Sequence, residues 1–273
     1  MKKFAIIGNP IKHSMSPIFY KYFAKKIQIN IDYIKILVPK NQFDYVFYHF
    51  FNTGGYGINI TSPFKEIAYT KVHRLTKRAK ICKAVNTIKK INNNTLLGDN
   101  TDGIGLIMDL KYLKFINKDM HVLIIGAGGA ARSAIASILD YGCQITITNR
   151  TFQKTNQLKE YFSNMGKISN IAFKDIQSPQ YNLIINATST SINGIVPDIS
   201  SNVFKKNVYC YDMFYGKHLS PFLLLAKQCG VIHYSNGLGM LAHQAAFAFH
   251  LWYNKLINPL PILQKINNSF NYK

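Results

Sequence analysis

The chain has 273 residues, 48% of them apolar and 16% charged, too hydrophobic and too weakly charged for intrinsic disorder. At roughly 150 residues per domain, this length accommodates about two compact domains. Basic residues outnumber acids 33 to 12, a formal charge of +21, yet arginine occurs only at Arg74, Arg78, Arg132 and Arg150, so specific nucleic-acid binding is not expected.

No apolar run approaches the roughly 20 residues that cross a bilayer. The run Phe4 to Ile7 ends at Gly8-Asn9-Pro10, far short of a signal core, so neither membrane insertion nor export is expected, and a cytoplasmic location is. Residues 4–7 predict a strand, 17–26 a helix, the β-branched run 29–38 a second strand and 42–51 a second helix. After Gly54-Gly55, 56–60 reads as a strand, and Pro63, whose missing N–H suits a first turn, opens a helix. The runs 84–91 and Leu96-Leu97 flank Asn92-Asn93-Asn94, a hairpin signal. This half reads as an α/β domain with a mixed sheet. Residues 71–90 contain no acid, and Lys71, Arg74, Lys77 and Arg78 are placed on one solvated helical face, with steering of anionic ligands as a secondary use.

A second unit starts near Met120. Strand 122–125 enters Gly126-Ala127-Gly128-Gly129-Ala130-Ala131, a helix runs through Leu139, and a strand follows at 145–148. Strand, glycine turn, helix and strand within about 30 residues is the layout of a Rossmann-type, doubly wound dinucleotide-binding fold. Further strands are expected at 182–187 and 208–213, while 151–181 is polar and yields no clear element. From Gly239 to Trp252 the chain is apolar nearly all round, the mark of a buried helix. Cys82, Cys143, Cys210 and Cys229 form no C-x-x-C pair, so they read as buried free thiols and no metal site is expected.

The glycine turn matches G-x-G-x-x-A: the first glycine permits the tight turn, the second lets backbone approach a pyrophosphate, and the small sixth residue packs helix on strand. Where NAD sites place an acid, the end of the second strand carries Asn149-Arg150-Thr151, which suits a 2′-phosphate and hence NADP. In the first half, Ser14 and Ser16 beside a proline-started helix can cradle a carboxylate, although taken alone they suit helix capping better. Asn59 and Thr61 alternate on a strand end and Lys65 projects from the following helical turn, where an isolated lysine is normally solvated. Asp102 sits at a turn entering a helix, where composition alone favours an N-cap.

Together, GNPIKHSMSP, NITSPFK, AVNT, GDNTD, GAGGAA, TNRT, INATS, YDMFY and NGLGMLAHQA resemble the shikimate dehydrogenase family in order and spacing over nearly the whole chain. The resemblance implies NADPH-dependent reduction of 3-dehydroshikimate to shikimate, on the route to aromatic amino acids. It implies that Ser14 and Ser16 hold the substrate carboxylate, that Asn59, Thr61, Lys65, Asn86, Asp102 and Gln244 surround its ring oxygens, and that Lys65 and Asp102 are the catalytic pair. Tyr215 joins the substrate set. The turn from Gly126 to Ala131, with Asn149, Arg150, Thr151 and Lys154, would hold NADP, and Thr188, Met213, Gly237 and Met240 would lie near its nicotinamide or the junction of nicotinamide and substrate.

The implied layout is a substrate domain at 1–101, an NADP domain at 102–237 and a C-terminal helical segment, 238–273, packing back on the first domain. Gln244 would then face the cleft from a buried helix, with a glutamine satisfied by backbone as the alternative. Lys83 stands where the family usually shows a glycine, Thr190-Ser191 intervene before Gly194, and Lys154 replaces a second arginine. An NAD-dependent quinate/shikimate dehydrogenase would show an acid in place of Asn149-Arg150. A basic nucleic-acid-binding protein would need clustered arginines or exposed stacking aromatics. A homodimer is compatible with the sequence.

Overall fold

The structure is a computed structural model that describes residues 1–176 and 181–270. Positions 177–180 of the polar stretch and 271–273 of the C-terminal segment therefore lie outside the described residues. The chain divides into two compact units, Met1–Gly105 with Leu241–Gln264, and Leu106–Met240 with Lys265–Lys273.

The first unit opens with β1 (Lys2–Gly8), α1 (Ser16–Lys26), β2 (Ile31–Leu37), α2 (Phe43–Asn52) and β3 (Gly55–Ile60). It continues with α3 (Lys65–Tyr69), β4 (Arg74–Leu75), α4 (Lys77–Cys82), β5 (Thr87–Asn92), β6 (Thr95–Asp99) and the start of α5 (Asp102–Tyr112). Its six strands lie in the order β2-β1-β3-β5-β6-β4. β1 pairs parallel with β2 and β3, and β5 pairs antiparallel with β3 and β6, so the sheet is mixed. The aromatic-rich α2 buries Phe43, Phe47 and Phe51 against Ile7, Ile58 and Phe64.

The basic stretch departs from the expected single helix. Lys71 follows the end of α3, Arg74 lies in β4, and Lys77 and Arg78 open α4, so the four cations do not share a helical face. The register of β4 beside β6, Arg74 opposite Leu97, interrupts the helix, and such non-local pairing leaves no mark in a helical period. Nor is the whole stretch solvated. Arg78 makes a two-pronged pair with Asp99, whose carboxylate has no exposure, at 2.7 and 2.5 Å, and Lys71 pairs with Asp44.

The second unit contains β7 (His121–Ile125), α6 (Gly129–Asp140), β8 (Gln144–Thr148), α7 (Phe152–Phe162) and β9 (Ile168–Asn170). After these come β10 (Leu183–Asn186), β11 (Tyr209–Asp212), α8 (Pro221–Gln228), β12 (His233–Asn236) and the first residues of α9 (Leu238–Tyr253). All its strand pairs are parallel, in the order β12-β11-β10-β7-β8-β9, the arrangement of a Rossmann-like sheet. Strand order reverses between β7 and β10, the crevice where such sheets bind ligands. Leu123, Ile184, Cys210 and Phe222 belong to the core on one face. Cys82, Cys143 and Cys210 are buried free thiols, whereas Cys229 is only half-buried.

α9 is buried on nearly all sides, as its composition predicts. In the first unit its Trp252 lies against Gly57, between Phe4 and Tyr20, and donates Nε1–H to the Ile88 carbonyl at 3.0 Å. The short helix α10 (Leu260–Ser269) completes the described chain. Among the described residues, no helix is long and apolar enough to cross a membrane, and no cluster of histidine, cysteine or acidic side chains could hold a metal ion.

Candidate active site

Within the first unit, the ends of β3 and β6 and the starts of α3 and α5 converge on one polar cluster. Lys65, the first residue of α3, places Nζ 2.6 Å from Asp102 Oδ2, and Asn86 Nδ2 donates to Asp102 Oδ1 at 2.8 Å. Asn100 receives the Asp102 amide, so an Asx turn starts α5 and the Asp102 carboxylate is left to the cluster rather than to capping. Lys65 and Asp102 retain 13% and 7% side-chain exposure, which shields the pair while leaving access to a ligand.

Asn86 is the centre of this network. Its Nδ2 also reaches Thr101 Oγ1 and Gln244 Oε1, while its Oδ1 accepts the Thr101 amide at 2.8 Å. Gln244 donates Nε2–H to the Leu241 carbonyl at 3.0 Å, and its Oε1 accepts from Asn86 and Thr101, so it is tied to backbone on one side and to the cluster on the other. Asn59 Oδ1 accepts from Tyr33 at 2.8 Å, and its Nδ2 is committed to the Asn86 carbonyl and Thr87 Oγ1. With both amide hydrogens spent inward and 4% exposure, Asn59 braces β3 against β5. Thr61 is partly exposed at the end of β3.

Ser14 and Ser16 are buried and bonded to one another at 3.2 Å. Met15 is the N-cap residue of α1 and makes no side-chain cap, but Ser14 Oγ accepts the amide of Ser16, the first residue of the helix, at 3.4 Å, so Ser14 takes a weak share of the capping that composition favours.

Thr101, Thr87, Tyr33 and Asp99 belong to the cluster's framework without having been singled out from the sequence, and Arg78, expected on a solvated face, joins them through Asp99. Asp99 Oδ1 accepts from Thr76, Arg78 and the Asn100 amide, which anchors the turn that delivers Asp102. The signal available in the sequence was Asp99 itself, an acid at a strand end shortly after a long basic run.

In the second unit, Gly126, Asn149, Thr188, Met213 and Gly237 each follow the carboxyl end of a parallel strand. Gly126 has φ +123° and would bring a Cβ to 3.0 Å from the Ala187 carbonyl, so β7 and β10 can lie this close only with glycine there. Gly128 has ordinary φ and open space where a Cβ would stand. Protein packing therefore does not require this glycine, whereas a pyrophosphate against the backbone would. Gly128 is the N-cap of α6 and offers no side chain to cap it, so the first-turn amides are placed to receive an anion. Arg150, Thr151 and Lys154 are exposed beyond β8, and Asn149 Nδ2 braces the turn on the Thr151 carbonyl at 3.0 Å. These residues fit a dinucleotide. Tyr215, placed by the resemblance with the substrate residues, belongs to this unit and lies in the turn after β11, near Met213. Met240 is buried in the first turn of α9.

A Rossmann-like unit with a glycine cradle, joined in one chain to a unit bearing a shielded lysine–carboxylate pair, defines a two-domain oxidoreductase. Residues 6–88 match the family model for the shikimate dehydrogenase substrate binding domain, and residues 111–209 match that for shikimate / quinate 5-dehydrogenase. The fold is similar to an Ael1 enzyme from Pseudomonas putida, at 30% identity over 97% of this chain and 98% of that one, TM-score 0.87. It is similar to shikimate dehydrogenase from Aquifex aeolicus, at 28% identity over 97% of both chains, TM-score 0.88. It is also similar to shikimate 5-dehydrogenase from Thermus thermophilus, solved in complex with NADP(H) and shikimate, at 27% identity over 98% of this chain and 100% of that one, TM-score 0.87. The chain belongs to the shikimate dehydrogenase family.

Proposed function

We propose that this chain catalyses the reversible NADPH-dependent reduction of 3-dehydroshikimate to shikimate, on the route to chorismate and the aromatic amino acids. The observation that carries this reading is the 2.6 Å Lys65–Asp102 contact, with Asn86 on the second carboxylate oxygen, at the positions the family motifs mark. When bound, the nicotinamide supplies a hydride to the substrate's ketone carbon. Negative charge then gathers on the carbonyl oxygen, which needs a proton donor within about 3 Å. Lys65 holds that proton on Nζ. One of its three N–H bonds is fixed by Asp102, so the remaining two have defined directions in which to meet the oxygen. Asn86 keeps the carboxylate from rotating, and in the reverse direction the coupled pair takes the proton back.

Ser14 and Ser16 supply two adjacent hydroxyls for the substrate carboxylate, and the exchange of their mutual bond for a charged acceptor is favourable. Asn59, which the resemblance places among the residues around the substrate ring, is held in position by Tyr33 and Thr87. Arg150 and Lys154 favour NADP through the 2′-phosphate, and the position after β8 carries no acid to hold a free ribose hydroxyl.

The test is NADPH consumption on addition of 3-dehydroshikimate, with NADH and quinate arms in parallel. Turnover with NADPH and 3-dehydroshikimate at a higher kcat/KM than any other pair is expected. A preference for NAD with quinate would instead make the chain a quinate dehydrogenase, and no turnover with any pair would refute the reading.

A further inference from the structure

Beneath the turns that follow β10 and β11 lies a second polar cluster, with no part in the chemistry above. Asp212, the last residue of β11, has no exposure, yet four donors converge on it. Ser220 and Ser191 hydroxyls donate to Oδ2 at 2.5 and 2.7 Å, Asn186 Nδ2 reaches the same oxygen at 3.2 Å, and the Phe214 amide meets Oδ1 at 3.0 Å. Asn186 extends the network outward: its Oδ1 accepts the Thr188 amide at 3.1 Å and the Thr188 hydroxyl at 2.7 Å, and its backbone carbonyl accepts the Met213 amide. The Phe214 carbonyl in turn receives the Gly237 amide, and any side chain at Gly237 would strike the Met213 backbone.

A buried carboxylate with its donors adds little net stability over apolar side chains of the same volume, but a fully satisfied polar network admits one arrangement of the segments it joins. Here those segments are the 187–191 turn, the 213–216 turn and the start of α8. The first two carry Thr188 and Met213.

We propose that Asp212, Ser191 and Asn186 are positioning residues that set the turns receiving the nicotinamide half of the cofactor. The inference rests on the dinucleotide reading of this unit and adds to it a division of labour. The β7–α6 turn and Arg150 hold the adenosine and phosphate half, while the Asp212 network shapes the other end. Ser191 matters most because it reaches Asp212 from the 187–191 turn itself, and it is one of the two residues intervening before Gly194.

The experiment is Ser191→Ala, with binding of NADPH and of adenosine 2′,5′-bisphosphate, which lacks the nicotinamide, measured by titration calorimetry alongside thermal unfolding. The expected result is NADPH affinity weaker by roughly 3- to 10-fold, the size of one lost hydrogen bond, with adenosine bisphosphate affinity unchanged. Asp212→Asn should show the same split, larger in size. Equal weakening of both ligands, or a lowered Tm with both affinities intact, would mark the cluster as fold support and overturn the proposal. A wild-type chain that binds neither ligand would overturn the dinucleotide reading itself, and this inference with it.

Discussion

Lys65 Nζ and Asp102 Oδ2 stand 2.6 Å apart, delivered by the first residues of two helices, α3 and α5, that follow different strands of the same sheet. Each residue fixes the other's direction, so removing either should damage turnover more than substrate binding. Lys65→Met is expected to lower kcat by about 10² to 10⁴ with a smaller change in KM. Asp102→Asn should also impair kcat, and the double variant should lose far less than the product of the single losses, as residues acting as one unit do. Steady-state kinetics of the three variants checks this, and multiplicative losses would separate the two residues.

Ser14 and Ser16 are bonded to each other at 3.2 Å, and the one bond to the helix start, from the Ser16 amide to Ser14 Oγ, is long at 3.4 Å, so their loss should register more on substrate than on folding. A hydrogen bond to a charged group is worth about 1.5 to 3 kcal/mol, so Ser14→Ala and Ser16→Ala should each raise the KM for 3-dehydroshikimate roughly 10-fold or more. Unchanged KM values with a depressed Tm would return both serines to a purely structural part.

Arg150 is exposed directly beyond β8. Arg150→Ala should raise the KM for NADPH and leave that for NADH nearly unchanged, because only the former carries a 2′-phosphate. The ratio of kcat/KM for the two cofactors measures the effect. A parallel loss with both would place the guanidinium elsewhere.

Lys83 closes α4 in the left-handed region, at φ +48°, and its side chain is exposed. That conformation costs a residue with a Cβ roughly 1 to 2 kcal/mol, part of which glycine gives back through its more flexible unfolded chain. Lys83→Gly should therefore stabilise the protein by about 0.5 to 1 kcal/mol, seen as a higher urea midpoint at constant m. A lower midpoint would show that the lysine side chain contributes more than its backbone costs.

Asp109 accepts from Tyr211 at 2.6 Å and from the Met240 amide, and burial lifts its carboxyl from 3.8 to about 6. The native state then holds this proton more tightly than the unfolded chain, so the group's contribution to stability is greatest below about pH 4 and is lost as pH rises through about 6. Asp109→Asn removes that dependence. Relative to the wild type, the variant should gain Tm between pH 4 and pH 8, and a pH-independent difference would show that the carboxyl is not titrating there.

Local patterns carried much of the fold. The strand at 122–125, the glycine turn and the strand at 145–148 were legible because each is written in consecutive residues, and α9 because its apolar run leaves no face for water. β4 was not, since a two-residue strand exists only through its pairing with β6. β9 and β12 were missed because short polar edge strands lack the alternation that marks a half-buried one. In the site, Lys65, Asn86, Asp102 and Gln244 could be named from motifs. Their hydrogen bonds could not, and it is those bonds that turn Asn59 inward and make Thr101 a member.

Gly239 adjoins the Asp109 carboxylate so closely that any Cβ at this position would overlap it. The two positions, 130 residues apart in the chain, therefore form a single unit of variation. A library that randomises the start of α9 while keeping Asp109 will return only glycine at 239, and larger residues will enter only together with a shorter one at 109. Sequence drift across this junction must proceed by paired replacement, and a designer who wishes to move Met240 must begin in α5.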